Sequence, residues 1–199
     1  MAKKKSGSNN ALFRLVGALF GVLAIVFSFI LEGVKLYKEG TGSLGGLSGT
    51  TKTTTTVKLF NLMFGSPSFT TTGEITMSIG GTSSTTTIDP STVSYGGGMS
   101  TFALISFIAV ALGVVLLVVS FLIKNKFASF AGGALLVLGG IFVFLTLTSG
   151  ADLTKTVGNS TVNTAFADAF KDYKLAIGAY LYGILSIVGG ALGILSSAK

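Results

Sequence analysis

The chain has 199 residues, of which 49% are hydrophobic and 11% are charged, and its formal net charge is +7. Soluble domains carry about 25% charged residues, so this composition excludes an ordinary soluble globular protein and indicates a membrane protein. Cysteine, histidine and tryptophan are absent from the sequence. Disulfides are therefore excluded, and the side chains that most often bind zinc are missing.

Four apolar stretches predict helices that are long enough to cross a bilayer, which takes roughly 20 residues. They lie at about residues 11–31, 101–123, 127–147 and 175–195. The two middle stretches contain no charged residue and are separated only by Lys124, Asn125 and Lys126. A link this short allows only an antiparallel return, so the centre of the chain is predicted to form a helical hairpin.

The first apolar stretch is predicted to be a retained span and not a signal peptide. It is longer than the ~7–15 residues of a signal-peptide core, and no small-x-small cleavage site follows it. Arg14 lies about one helical turn inside this span. We expect its side chain to reach back to the lipid headgroups on the inner side.

The charged residues separate according to the predicted side of the membrane. If the chain starts inside the cell and crosses four times, the inner segments contain no acidic residue. Their basic residues are Lys3, Lys4, Lys5, Arg14, Lys124, Lys126 and Lys199. The outer segments contain equal numbers of basic and acidic residues, so the whole net charge lies inside. This distribution predicts that both termini are cytoplasmic, and it accounts for the basic excess without a nucleic-acid partner.

The outer loop 40–100, between the first two spans, is predicted to form a small antiparallel β-sheet of three or four strands. Residues 40–49 are rich in glycine and serine, which is typical of a flexible linker. Threonine and β-branched residues follow, and Ile75, Met77 and Ile79 alternate with polar residues, as in a strand with one buried face. The other candidate strands begin at Thr51 or cover residues 85–88 and 92–95.

An apolar stretch in this loop provides the first candidate interaction surface. A sheet of three or four strands is only marginally stable alone, so we expect it to pack on the outer ends of the helices. The side chains best suited to make this contact, or a contact with another protein, are Phe60, Leu62, Met63 and Phe64.

The first and fourth helices are both predicted to project beyond the membrane. The first is expected to continue through residues 32–39, where Glu32 and Lys35 have the i, i+3 spacing of a helical ion pair. In the outer loop 149–172, Asn163 or Thr164 is suited to cap a helix that runs without a break into the fourth span.

This second loop also contains the second candidate interaction surface. Phe166, Phe170 and Tyr173 have the i, i+4, i+7 spacing of one helical stripe. Asp168 and Asp172 are one turn apart, but Lys171 and Lys174 flank them, so a solvated helix face is favoured over a metal site.

Small residues recur within the spans and predict close packing of the helices. Gly17 with Gly21, and Gly189 with Gly193, form small-xxx-small pairs that let helix backbones approach each other in lipid. The full set of predicted packing glycines is Gly17, Gly21, Gly113, Gly132, Gly139, Gly189 and Gly193. Packing within one bundle is favoured, and pairing between subunits is the alternative.

The sequence predicts no catalytic, cofactor or metal site, and we expect no enzyme. Every acidic residue lies in a predicted loop or at a helix end. The spans contain no ionisable residue near the bilayer midplane and no proline, so ion-coupled transport is not favoured. Their hydroxyl groups are expected to bond back to their own helices, and they belong to Ser28, Ser106, Ser120, Thr146 and Ser186.

The layout of four spans, inner termini, a large first outer loop of β character and a short second loop resembles the claudin and PMP22-like tetraspan group. The tryptophan and cysteine pair of the claudin first loop are absent here, so no functional residue is carried over. The segment from Lys58 to Gly65, which closes on Phe-Gly, resembles small uncharacterised four-span membrane proteins of low-GC Gram-positive bacteria or mollicutes.

These observations predict an all-α membrane protein, a single-domain four-transmembrane-helix bundle with a small antiparallel β-sheet in the first extracellular loop. The predicted function is structural, with the outer loop mediating self-assembly, adhesion or partner binding in the plasma membrane. The expected partners are the lipid bilayer and a second copy or another membrane protein. An oligomeric channel, or an accessory subunit of a membrane transporter, is the alternative.

Overall fold

The computed structural model describes residues 4–44, 47–79, 81–157 and 160–198, and these form a helical bundle with a β-rich unit at one end. In chain order the helices are α1 (Lys4–Ile30), α2 (Leu59–Met63), α3 (Thr101–Ile123), α4 (Lys126–Phe142), α5 (Phe166–Phe170) and α6 (Ile177–Ala198). The strands are β1 (Glu32–Leu44), β2 (Leu47–Lys58), β3 (Ser68–Ile79), β4 (Thr82–Ser94), β5 (Gly96–Gly97), β6 (Leu153–Val157), β7 (Ser160–Thr164) and β8 (Lys174–Leu175). A 3₁₀ turn, Val143–Leu145, continues α4.

Four of the described helices are long and apolar enough to cross a membrane. They are Asn10–Ile30, Thr101–Ile123, Lys126–Leu145 and Ile177–Ala198. The exposed residues along them are apolar, apart from Thr101, Lys126 and Tyr180 near the helix ends. These properties are compatible with a multi-pass membrane protein.

The four long helices form a ring in the order α1, α3, α4, α6, in which each helix packs against its two neighbours. All seven predicted packing glycines lie at contacts between helices of this one chain. A Cβ on Gly113 of α3 would lie 2.8 Å from the carbonyl oxygen of Gly132 of α4, and a Cβ on Gly132 would lie 2.9 Å from that of Gly113. Because neither position has room for a side chain, the two backbones are in direct contact.

The hydroxyl groups inside the bundle follow two patterns, apart from that of Ser186, which is buried without a hydrogen-bond partner in the described structure. Ser28 donates to the carbonyl oxygen of Ile25 in its own helix, at 2.7 Å, as the sequence predicts. Ser106 of α3 instead donates across the bundle to the carbonyl oxygen of Gly139 in α4, at 2.6 Å. The absence of a side chain on Gly139 brings its carbonyl within reach, so here the neighbouring backbone replaces the local acceptor.

The predicted antiparallel sheet is present, but the all-α description is too narrow, because strands form two antiparallel sheets beside the helices. The larger sheet has five strands in the order β4-β3-β2-β1-β8, and the smaller has three in the order β5-β6-β7. Strands β1 to β4 are 12 or 13 residues long. The larger sheet is therefore neither small nor confined to the first loop, since β8 comes from the second.

The predicted helical extension of residues 32–39 is also wrong. Helix α1 ends at Ile30, and the chain enters β1, which pairs along its length with β2. A Cβ on Gly33 would lie 2.6 Å from the Cα of Leu59, so the chain turns tightly against α2 at this point. The predicted flexible linker is replaced by the same hairpin, because residues 40–44 and 47–49 are paired strand residues; Gly45 and Gly46 lie outside the described residues.

The two predicted short strands, 85–88 and 92–95, join in the single strand β4, which ends at Ser94 and so leaves out Tyr95. A register shift opposite Thr71 and Gly73 absorbs Asp89 and Pro90 as a bulge. Proline is tolerated there because β4 is an edge strand, where one side needs no backbone donors.

The fourth span does not continue from a helix at Thr164. Helix α5 is only five residues long, and the chain then forms β8, which pairs with β1 before α6 begins. The predicted caps, Asn163 and Thr164, lie in β7, and the side chain of Asp152 instead accepts a hydrogen bond from the Phe166 amide at 3.3 Å. Pairing with β1 thus interrupts a pattern that is locally helical.

Candidate interaction surface

The larger sheet has one polar face. Across β3 and β4, hydroxyl pairs join Thr70 to Thr92 at 3.3 Å and Thr76 to Thr85 at 3.0 Å. On the same face, the Nζ of Lys52 lies 3.8 Å from a carboxylate oxygen of Glu39. This exposed pair contributes little to stability, so the threonine ladder is the main feature of the polar face.

The opposite face is apolar because the register aligns side chains that the sequence separates. Leu47 of β2 lies opposite Ile79 of β3, Gly49 opposite Met77, and Ile88 of β4 opposite Gly73. Paired residues of antiparallel strands point to the same face. Leu47 thus extends the apolar row of Ile75, Met77 and Ile79 onto β2, whereas the residues opposite this row on β4 are Thr82, Ser84 and Thr86.

Next to the helices, this apolar face is covered by residues of the second loop. The ring of Phe69 in β3 stacks on Phe170 with centroids 5.6 Å apart, and it meets the edges of Tyr95 at 5.1 Å and Tyr173 at 5.9 Å. Phe170 also contacts Phe166 at 4.7 Å. These rings, together with buried Val34, Val57, Leu62 and Leu153, form a core between the sheet and the second loop.

Burial in this aromatic cluster changes the acidity of Tyr173. Desolvation, with a smaller contribution from nearby Tyr95, raises the pKa of Tyr173 to about 12. The Nζ of Lys155 lies 5.4 Å from the centroid of the Tyr95 ring, within the range of a cation–π contact. Burial therefore keeps the Tyr173 hydroxyl neutral beyond the pH at which an exposed tyrosine ionises.

Far from the helices, the same face is uncovered. We name Leu47, Ile75, Met77, Ile79 and Ile88 the distal apolar patch. Three of its side chains are strongly exposed, Met77 at 58%, Ile79 at 61% and Leu47 at 46% of their full surface. A depression of about 360 Å³ beside Leu47 and Met77 has its floor at Gly42 and Gly49. The patch thus offers both protruding side chains and a hollow.

One long edge of the sheet is also free in the described structure. Strand β4 pairs with β3 on one side only, and Asp89 is its single charged residue. Natural edge strands usually carry lysine or other charges that prevent pairing with another chain. Asp89 and Pro90 limit such pairing to the two halves of β4 on either side of the bulge.

The first predicted interaction surface lies mostly inside the protein. Leu62 and Met63 of α2 are fully buried between the sheet and the helices, where they make the predicted contact of the sheet with the helix ends and present no surface to a partner in this structure. Phe60 stacks on Phe29 of α1 with centroids 4.0 Å apart, and Phe64 meets the edge of Phe107 of α3 at 5.2 Å. Helix α2 therefore packs between the sheet and the bundle as a wedge that joins them. Of the four predicted residues, only Phe64 is strongly exposed.

The second predicted interaction surface is likewise internal. Phe166 and Phe170 are buried beneath the sheet, and Tyr173 is partly buried beside them. In this structure Phe166 and Phe170 therefore expose almost no surface to a partner. Their apolar stripe was recognisable in the sequence, but the surface that covers it belongs to strands more than 70 residues away on the chain.

Sequence reasoning did not select the distal apolar patch. The alternation of Ile75, Met77 and Ile79 was the available signal, and it correctly indicated one apolar face. Which part of that face the second loop covers depends on the register and on the chain's return at β8, and neither leaves a local signature.

In the part of the chain that the structure describes, no three acidic, cysteine or histidine side chains come together as a metal site would require. Comparison of the sequence with protein-family models and curated proteins, and of the fold with solved structures, found no match. The candidate surface is therefore inferred from its geometry alone.

Proposed function

We propose that this protein is a structural membrane protein whose copies associate through the distal apolar patch of the larger sheet, with no catalytic role. The observation that carries the proposal is the strong exposure of the neighbouring side chains Leu47, Met77 and Ile79 on one face of the larger sheet. Contiguous exposed apolar side chains of this kind commonly mark contact sites.

A second copy is the partner that fits this surface. The patch itself carries no charge, so it needs no oppositely charged partner, and it combines protruding Met77 and Ile79 with the hollow above Gly42 and Gly49. A two-fold axis brings the same patch from both copies into contact and can seat each protrusion in the other hollow. Aligned packing of two sheet faces, about 10 Å apart, is a common arrangement in proteins.

The distribution of charge supports an outer position for the sheet. All acidic residues lie in the two segments that form the β-rich unit, whereas the other end of the bundle carries only basic residues. The positive-inside rule then assigns both termini to the cytoplasm, and the plasma membrane is the location that leaves the sheet accessible to neighbours. The resemblance to the claudin layout agrees with this arrangement but contributes no residue.

The alternative, an oligomeric channel or transporter subunit, has less support. The exposed sides of the four long helices are apolar in the described residues, so copies packed side by side would line a pore with few polar groups. The interior of one bundle is filled by glycine contacts such as Gly113 with Gly132.

The decisive experiment measures association of the full chain in nanodiscs or a mild detergent. Met77→Lys places a charge in the centre of the distal apolar patch and is expected to abolish association. Thr41→Lys is the matched control, because Thr41 is exposed in β1 but pairs with Thr50, whose side chain points to the polar face. Equal association of both variants and the wild type would refute the proposed contact.

Single cysteines test the geometry further, since the native chain has none. Met77→Cys is expected to cross-link between copies and Thr41→Cys is not. Cross-linking at Thr85→Cys instead would indicate pairing through the edge of β4.

Sidedness is tested in intact cells with a membrane-impermeant maleimide. We expect Thr85→Cys to react before lysis and Lys126→Cys to react only after it. The reverse order of labelling would overturn the proposed topology.

A further inference from the structure

A small basic pocket lies at the end of the bundle opposite the sheet. It has a volume of about 310 Å³ and is lined by Asn10, Ala11, Arg14, Phe121 and Lys124. Helix α1 supplies the first three residues, and the end of α3 and the turn after it supply the other two.

Arg14 is the central feature of this pocket because its charge is buried and incompletely partnered. The side chain is only 5% exposed, and its Nη1 donates to the carbonyl oxygen of Ser120 at 2.9 Å. Its Nε is buried without a hydrogen-bond partner in the described structure. Every acidic residue of the chain belongs to the β-rich unit at the other end, so no carboxylate side chain neutralises this guanidinium. A buried, unpaired charge is costly and favours a bound anion.

Asn10 provides a second buried polar group without a partner. Its Oδ1 is unsatisfied, and rotation of the amide exchanges that oxygen for the Nδ2 donor. In that orientation Asn10 and Arg14, one helical turn apart on α1, both line the pocket and both hold an N–H group without a partner. Lys124 adds a second positive charge at the rim.

Hydrogen bonds fix the conformation of the turn that carries Lys124. Lys124 has a left-handed backbone with φ of 54°, and Ser120 donates from Oγ to the carbonyl oxygen of Asn125 at 2.7 Å. Asn125 in turn caps α4 by accepting from the Phe127 amide at 2.8 Å. Ser120 therefore fixes both Arg14, through its carbonyl, and the turn, through its hydroxyl.

The surroundings of the pocket identify the kind of anion. Phe121 lines it, and Leu12 and Leu122, which follow the lining residues Ala11 and Phe121 in the chain, are exposed apolar residues of α1 and α3. A free inorganic anion would gain nothing from this apolar rim, whereas the acyl chains of a lipid would pack on it. Guanidinium groups bind phosphate oxygens through paired, charge-assisted hydrogen bonds.

We propose that this pocket binds the phosphate of an anionic phospholipid headgroup, with Arg14 and Asn10 as donors and Lys124 as the second charge. The inference rests on the membrane placement given under the proposed function, but it is independent of association through the sheet. The site is specific for one lipid molecule per chain, and it ties the α1 and α3 ends together at the cytoplasmic surface.

The test is native mass spectrometry of the full chain in mild detergent, titrated with phosphatidylglycerol or phosphatidylcholine. We expect one phosphatidylglycerol per chain, bound about tenfold more tightly than phosphatidylcholine, and a loss of about tenfold in Arg14→Gln. Lys124→Gln is expected to lose about threefold and the control Lys126→Gln, an exposed charge outside the pocket, less than about twofold.

Each result decides the proposal. Equal binding of the two lipids, or wild-type binding by both Arg14→Gln and Lys124→Gln, would overturn it. Displacement of phosphatidylglycerol by an equal concentration of inorganic phosphate would overturn the lipid assignment in favour of a free anion. If Arg14→Gln does not fold, Lys124→Gln decides alone, because Lys124 is exposed and supports no core. Met77→Lys must bind phosphatidylglycerol as the wild type does, so failure of either proposal is distinguishable from failure of the other.

Discussion

Gly17 of α1 and Gly189 of α6 face each other across the helix interface and leave no room for a side chain on either. A Cβ on Gly17 would lie 2.6 Å from the carbonyl oxygen of Gly189, and a Cβ on Gly189 would lie 2.7 Å from that of Gly17. One glycine from each small-xxx-small pair of the sequence thus meets the other within one chain, whereas Gly21 and Gly193 pack against α3 and α4. Backbone contact of this kind replaces the hydrophobic driving force that helices lack in lipid.

This contact predicts that Gly17→Ala lowers the stability of the bundle. The added methyl group meets backbone, which cannot rotate away, so we expect a loss of about 1–3 kcal/mol in the free energy of unfolding. Unfolding in a detergent titration measures it. Gly40→Ala is the control, because nothing lies within 4 Å of a Cβ at that strand position. Equal stability of the two variants would contradict the packing described for α1 and α6.

The aromatic cluster predicts that Phe170→Ala separates the second loop from the sheet. Phe170 is buried against Phe69 and Tyr173, and removal of a buried phenylalanine ring costs about 3–5 kcal/mol. We expect faster hydrogen exchange in β6 and β7, with little change in α3 and α4. Phe127→Ala is the control, since that ring is exposed. Unchanged exchange in β6 and β7 would show that the cluster does not hold the loop.

The four apolar helices and the presence of antiparallel strands could be predicted from the sequence because hydropathy and alternation are local properties. Helix α3, for example, covers the uncharged stretch from Thr101 to Ile123. A run of that length without charge has few other stable structures. The alternation of Ile75, Met77 and Ile79 is a local property of the same kind, and it predicts a strand.

The remaining errors arose where a distant partner decided the structure. Residues 32–39 contain a helical charge pattern, yet they pair with a threonine-rich strand and become β1. Lys174 and Leu175 also lie in a helical pattern, yet they form β8 because they pair with β1. Strand formation depends on such tertiary context more than helix formation does. The candidate surface was missed for this reason, because its exposure depends on how far the second loop reaches across the sheet.

The raised pKa of Tyr173 predicts a loss of stability at high pH. Its pKa is about 12 in the folded chain, whereas an exposed tyrosine has a pKa of 10, so the unfolded chain ionises first as the pH rises. The stabilising contribution of neutral Tyr173 is complete below pH 10 and is lost as the pH rises through about 12. Tyr173→Phe cannot ionise, so we expect its melting temperature to fall less than that of the wild type over this range. Parallel curves for the two proteins would contradict the burial of the phenol.

Substitutions of two methionines separate an effect on folding from an effect on association. Met63 is fully buried in the α2 wedge, whereas Met77 is exposed in the distal apolar patch. Met63→Ala creates a cavity and is expected to lower the free energy of unfolding by about 2–5 kcal/mol. Met77→Ala leaves a surface position and is expected to change it by less than about 0.5 kcal/mol.

The two substitutions are expected to affect association in the opposite order, with Met77→Ala having the larger effect. Measured at a temperature where both variants are folded, Met77→Ala is expected to weaken association of the full chain, because it removes a protruding side chain from the proposed contact. Met63→Ala should associate as the wild type does, since its side chain reaches no surface. If Met63→Ala weakens association as much as Met77→Ala, the contact depends on the general integrity of the sheet. If neither variant weakens it, copies do not meet through this face, and the free edge of β4 becomes the surface to examine.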